Sequence, residues 1–281
     1  MCRFIAYLGK PLLINDVISK PKDSLIKQSV HALESDVKLN GDGFGIGWYN
    51  PSVTNKPGVF VSILPAWNDL NLRNISHQIV SPCFFGHVRA AEEGSVTHDN
   101  CHPFHYKHYM FMHNGGIGGY KKIKQALFAL LSEEAFLQIH GHTDSEAMFA
   151  LWLTCFLKTK KTLADMLACW RETLKILEGL QAEYGVNQPS YINALVTDGE
   201  EISGVRYSTD PDYFLSLHFL AGREFVHTKE GCHMLPAKFG RNDAVIISSE
   251  IVTAHKNEWR EVEKQAVFSV DRHKVISTES L

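Results

Sequence analysis

Ten stretches are apolar enough, and bounded by turn residues often enough, to predict strands: "CRFIAYLG", "GFGIGWYN", "VFVSILP", "CFFGHVRA", "YMFMHNG", "YINALVTDG", "ISGVRYS", "YFLSLHFL", "DAVIISSE" and "KQAVFSV". Many of them, such as "YINALV" and "AVII", lack polar alternation, the pattern of strands covered on both faces. Two early segments, "DSLIKQSVHAL" and "DLNLRNISHQIV", predict helices between strands. From about residue 120 to 184 the chain reads as a helical block. Within it Leu163, Leu167, Trp170, Leu174 and Leu177 follow the 3.6-residue period, and Gly185 is placed to end the helix. By contrast "AMFALWLTCFL" (147–157) is apolar on every side, as a helix packed between layers would be. Strands, then helices, then strands again predict two sheets with helices against them, an α+β layered architecture. No repeat, low-complexity tract or Pro/Gly/Ser linker interrupts the pattern, so a single domain over residues 1–281 is expected.

The composition changes this picture little. Of 281 residues, 44% are hydrophobic and 21% charged, with a formal net charge of -3, as expected of a globular chain with a sizeable core. No basic block predicts a nucleic-acid partner, and no acidic tail predicts a solvated arm. After Arg3 the run "FIAYL" is too short for a secretory signal, and Lys10 ends it. The longest near-apolar run, 147–157, falls short of the roughly 18–20 residues of a membrane span. Position two is not the glycine myristoylation needs, and "STESL" lacks a prenylation cysteine. A cytoplasmic protein without membrane attachment is expected.

Six cysteines are scattered without a CxxC pair, as reduced thiols would be. Cys155 and Cys169 lie inside helical patterns and read as small core residues. Cys2 is different. It stands where termini usually fray, and with lipid and disulfide readings weakened it is accidental, a metal ligand or a nucleophile.

Several further stretches could carry chemistry. "HNGGIGGY" (113–120) has neither phosphate-loop spacing; it reads as a turn, or as an oxyanion site using the Asn114 side chain and the Gly115 backbone N–H. "NGDGFGIGWYN" puts Gly43, Gly45 and Gly47 on one strand face, which predicts close approach of a backbone or a ligand. Arg89 ends an apolar strand, either as a surface residue or as a carboxylate clamp. Thr143 and Glu146 form a capping-box pattern that places Asp144 in a first helical turn, complementing the dipole or holding an ammonium. His98, Cys101, His102 and His105 suggest zinc, but no second paired cluster completes the site. A Cys101–His102 nucleophile pair is disfavoured, because neighbours on a strand point to opposite faces.

Taken in order, Cys2, "HVRA", "NCHPF", "HNGG" and "TDSE" resemble the class II glutamine amidotransferase domain of the N-terminal-nucleophile hydrolases. The resemblance runs by motifs from Cys2 to about Phe156, then more loosely through "LVTDGEEISGVRY" and "VIISSEIVTAHKNEWREV". It is closest to a stand-alone branch that includes the γ-glutamyl hydrolase of ergothioneine synthesis and the amidotransferase-like component of a glutathione-degrading complex. It implies a four-layer αββα sandwich of two mainly antiparallel sheets. It also implies a mature chain beginning at Cys2, whose α-amine, with an unperturbed pKa of about 7.7–8.0, accepts the proton of its own thiol. Asn114 and Gly115 would form the oxyanion hole, Arg89 would bind the α-carboxylate of a γ-glutamyl group and Asp144 its α-ammonium. His102 would shape the site. No cofactor or metal is implied.

This chain departs from synthase-coupled members after the arginine, where it reads "RAAEEG", and no synthase or isomerase segment follows. The resemblance therefore implies a hydrolase of γ-glutamyl amides, alone or with a peptidase partner. The alternatives are a glutaminase subunit feeding ammonia to a separate synthase, a catalytically silent scaffold subunit, or a zinc-binding protein.

Overall fold

The computed structural model describes residues 2–34, 39–91 and 95–281, so Met1 and the "EEG" of "RAAEEG" lie outside the described residues. One sheet has seven strands in the order Arg260–Glu261, His218–Gly222, Ala244–Ser248, Arg3–Leu13, Val80–Val88, Phe44–Asn50, Thr54–Ser62. The other has six, in the order Ile276–Ser280, Ala266–Val270, Ile202–Ser208, Tyr191–Thr197, Tyr109–Gly116, Phe104–Tyr106. Every pairing described within them is antiparallel.

Three apolar cores separate four layers. The first packs Ile14, Val17, Leu25 and Leu72, from the early helices, onto Ile5, Phe84 and Ile246 of the seven-stranded sheet. The second lies between the sheets and joins Phe4, Phe85 and Ile247 to Met112, Leu195 and Phe268. The third packs helices Tyr120–Ala129, Asp144–Phe156 and Leu163–Glu183 onto Phe111, Ala194 and Val205 of the six-stranded sheet. Central strands are thus buried on both faces, which is why Tyr191–Thr197 and Ala244–Ser248 show no polar alternation. The αββα sandwich expected from the sequence is the observed fold.

The helical block divides into four helices, Tyr120–Ala129, Glu133–Phe136, Asp144–Phe156 and Leu163–Glu183. Asp144–Phe156 is buried around nearly its whole circumference, as the apolar run from Ala147 onward requires. Gly185, at φ 58°, ends the last helix, and Val186 N–H returns to the Gln181 carbonyl. The local pattern missed the short helix Ile14–Ile18, the hairpin Glu224–Thr228/Gly231–Leu235 and the edge strand Ile276–Ser280. "YFLSLHFL" is strand only from His218 onward. The capping pattern is half realised: Thr143 accepts from Glu146 N–H at 3.3 Å, but the Glu146 carboxylate turns to the N–H groups of His140 (3.0 Å) and Gly141 (2.9 Å). Among the described residues, no helix is long and apolar enough to cross a membrane.

Candidate active site

The glycine face of "GFGIGWY" fixes one wall. A Cβ on Gly45 would lie 2.1 Å from the His102 carbonyl oxygen, and one on Gly47 would lie 2.8 Å from the Pro103 ring. The 101–103 segment and Met110, rather than a ligand, fill that face. The cis His102–Pro103 segment therefore presses directly on the strand. His102 is held between His87 and Phe104, with ring centroids at 4.3 and 4.4 Å. Burial pushes its pKa well below the ordinary histidine value, so it stands there as a neutral, rigid wall.

Cys2 precedes the Arg3–Leu13 strand, and a dense set of bonds ties that end down. Arg3 Nε meets Glu250 Oε1 at 2.5 Å, Arg3 Nη1 donates to the Cys2 carbonyl at 2.6 Å, and Phe4 N–H donates to Ser249 Oγ at 3.0 Å. Glu250, fully buried, also accepts from the N–H groups of Leu33 (2.7 Å) and Glu34 (3.0 Å). The Cys2 thiol lies against Ala90, whose N–H points at the sulfur at 3.4 Å and whose carbonyl accepts from it at 3.5 Å.

Arg89 ends the Val80–Val88 strand run and is buried, its backbone N–H bonded to the Gly43 carbonyl at 2.8 Å and its Nη1 to the Ser95 carbonyl at 3.2 Å. Asp144 opens the Asp144–Phe156 helix, and its Oδ2 accepts Ile117 N–H at 2.8 Å. Ser145 Oγ donates toward Asp144 Oδ1 at 3.4 Å and lies 2.9 Å from His113 Nδ1. Burial lowers the pKa values of both His87 and His113 to about 3, so these histidines are uncharged at neutral pH. Gly115 has φ 118°, and a Cβ there would lie 1.8 Å from the Tyr191 carbonyl oxygen, so only glycine fits.

Cys2, Arg89, His102, Gly115 and Asp144 line one cleft of about 810 Å³. Asn114 is not part of the lining: it is buried, and its Nδ2 donates to Ser249 Oγ at 2.6 Å. The far wall of the cleft carries Lys121, Lys122, Gln188 and Tyr191, none of which the sequence singled out. Ser249 and Glu250 were also missed. They lie in the loosely similar "VIISSE" stretch, and only the pairing of that strand with the N-terminal one brings them to Cys2. A larger cavity, about 1020 Å³, opens beside Gly9, Lys10 and the turn 271–276, and contains none of the six expected site residues.

The zinc and Cys–His readings find no geometry. Among the described residues no group of three or more His, Cys, Asp or Glu side chains is arranged to hold a metal. The Cys101 thiol donates to the carbonyls of Thr97 (3.4 Å) and Ser62 (3.6 Å), away from the His102 ring stack, and burial raises its pKa to about 11.

Comparison with known proteins identifies the family and the fold. The profile of the glutamine amidotransferases class-II matches residues 24–280. The probable glutamine amidotransferase DUG3 of Saccharomyces cerevisiae is 32% identical over 297 residues, spanning 98% of this chain and 83% of that protein. The gamma-glutamyl-hercynylcysteine sulfoxide hydrolase of Mycobacterium tuberculosis is 26% identical over 117 residues, 41% of this chain and 49% of that enzyme. In fold, the structure matches a glutamine aminotransferase class-II domain protein from Silicibacter pomeroyi with a TM-score of 0.68 at 23% identity, covering 100% of this chain and 99% of that one. A cysteine directly before a central strand, an αββα sandwich and a family match across most of the chain make one case: the chain belongs to the class II glutamine amidotransferases, and is an enzyme of amidohydrolase type.

Proposed function

We propose that this protein hydrolyses γ-glutamyl amides through a γ-glutamyl thioester on Cys2. The observation that carries the reading is the placement of the buried Arg89 guanidinium and the Asp144 carboxylate in the same cleft as the Cys2 thiol. A γ-linked glutamyl group is the arrangement that leaves both an α-carboxylate and an α-ammonium free to meet them. With Met1 removed, the α-amine of Cys2 takes the thiol proton and the sulfur attacks the side-chain amide carbon. The oxyanion so formed is stabilised by Asn114 and the Gly115 N–H. The amine returns the proton to the departing nitrogen, and ammonia or an amine leaves. Water then attacks the thioester, releases glutamate and restores the thiol. His102 keeps the wall rigid and uncharged, so it does not compete with the substrate ammonium for Asp144. The chemistry needs no cofactor, and the reading places it in the cytoplasm.

Mass spectrometry of the active protein, with and without a glutamine-analogue electrophile, tests the proposal. The expected result is a chain starting at Cys2, with one label on that residue. Quantitative retention of Met1 on active protein, or a label on Cys101 that spares Cys2, rejects it. Cys2→Ala is expected to abolish hydrolysis while leaving the fold intact.

A further inference from the structure

We propose that Ser249 is the positioning residue that sets the Asn114 amide for its work on the reacting oxygen; this rests on the hydrolase reading above. Ser249 directly follows the Ala244–Ser248 strand and is buried. Its backbone N–H donates to the Phe4 carbonyl at 3.1 Å, while its Oγ accepts Phe4 N–H at 3.0 Å. The same Oγ lies 2.6 Å from Asn114 Nδ2, on the opposite sheet. One hydroxyl thus joins the residue two places after the nucleophile to the proposed oxyanion donor, across the gap between the sheets.

An asparagine amide turns easily about its last torsion, and its oxygen and nitrogen ends are nearly the same size. Something must decide which end faces the substrate. Ser249 Oγ holds the Nδ2 end of the amide while the Oδ1 end faces the buried His87 ring, and the bond to Ser249 is the contact that ties this orientation to the Cys2 strand. That bond takes one of the two amide hydrogens and leaves the other for the oxyanion. The arrangement also ties the position of the donor to that of the Cys2 strand, because Phe4 and Asn114 share one acceptor. A residue without a hydroxyl at 249 would release the amide.

A double-mutant cycle on the full chain tests this, with steady-state hydrolysis of glutamine and iodoacetamide alkylation of Cys2 as readouts. Alkylation needs the thiolate but forms no oxyanion. Ser249→Ala is expected to lower kcat about 10- to 100-fold with little change in KM, and Asn114→Ala about 10²–10³-fold, the usual loss for an oxyanion donor. The double variant is expected to be no slower than Asn114→Ala within about twofold, because a residue that acts through Asn114 has nothing further to lose. Alkylation of Cys2 in Ser249→Ala is expected at the wild-type rate. Losses that multiply, or alkylation that falls in step with kcat, would instead show that Ser249 only supports the strand, and would overturn the assignment. A wild-type protein that turns over no γ-glutamyl amide overturns the function and this role together; turnover with a multiplicative cycle overturns this role alone.

Discussion

The Cys2 sulfur sits between the N–H and the carbonyl of Ala90, at 3.4 and 3.5 Å, so the residue after Arg89 holds the thiol beside the guanidinium-bearing strand end. Two neighbouring strands, Arg3–Leu13 and Val80–Val88, set this relationship through their register, in which Arg3 pairs with Val88. Thiol and arginine therefore reach the cleft from adjacent strand ends.

Cys2 is half-exposed whereas Cys101 is buried with its pKa raised to about 11. At pH 7.5 iodoacetamide is expected to modify Cys2 well before Cys101, because only the thiolate reacts. Peptide mapping over a time course reads this directly. Cys101→Ser should retain hydrolysis; its loss would put the Cys2 assignment in question.

Replacing Arg89 by lysine keeps the charge but not the planar fork that matches a carboxylate. A charge-assisted hydrogen bond is worth about 1.5–3 kcal/mol, so Arg89→Lys should lower kcat/KM for glutamine by roughly 10- to 100-fold, chiefly through KM. Asp144→Asn should behave likewise toward the ammonium. Substrates lacking the α-amine should lose their sensitivity to the Asp144 change, which steady-state comparison of the two substrates checks.

Glu250→Ala removes the acceptor shared by Arg3 and the N–H groups of Leu33 and Glu34. Breaking a buried ion pair from one side typically costs about 3–5 kcal/mol. A urea midpoint close to wild type would show that the pair is not holding the N-terminal strand.

His87 and His113 have folded pKa values of about 3, against about 6.5 for an exposed histidine. Depressed folded values mean that the unfolded chain binds more protons between these limits. Their contribution is fully present above about pH 6.5 and is lost as the pH falls toward 3, at up to about 1.4 kcal/mol per pH unit for each histidine. Urea midpoints measured from pH 7 to 4 should fall accordingly. The slope should be smaller in His113→Asn, and an equal slope would assign the acid sensitivity to other groups.

Gly115→Ala forces a side chain into φ 118° and onto the Tyr191 carbonyl. A loss of several kcal/mol or misfolding is expected, since strain and overpacking act together. Wild-type thermal stability in this variant would mean that the strand end can move.

Layering and most strands were readable from the chain itself because both sheets are buried on both faces. That leaves uninterrupted apolar runs such as "AVII". Gly185, the apolar run 147–157 and the motifs from "HVRA" to "TDSE" were likewise local signals. The edge strand Ile276–Ser280 and the hairpin 224–235 are short and bury at most one face, so no continuous apolar run marks them.

The sequence by itself singled out the candidate side chains, since each of those residue types sits in a short motif. Only the tertiary structure decided who supports them. Ser249 and Glu250 lie more than two hundred residues from Cys2, and antiparallel pairing of the Ala244–Ser248 strand with Arg3–Leu13 brings them to it. It also decided that the glycine face of "GFGIGWY" meets the His102–Pro103 segment and Met110, and that Cys101 is sealed away from the cleft that Cys2 lines. Such contacts follow from strand register and layer packing, which couple residues remote in the chain and leave no mark at either position alone.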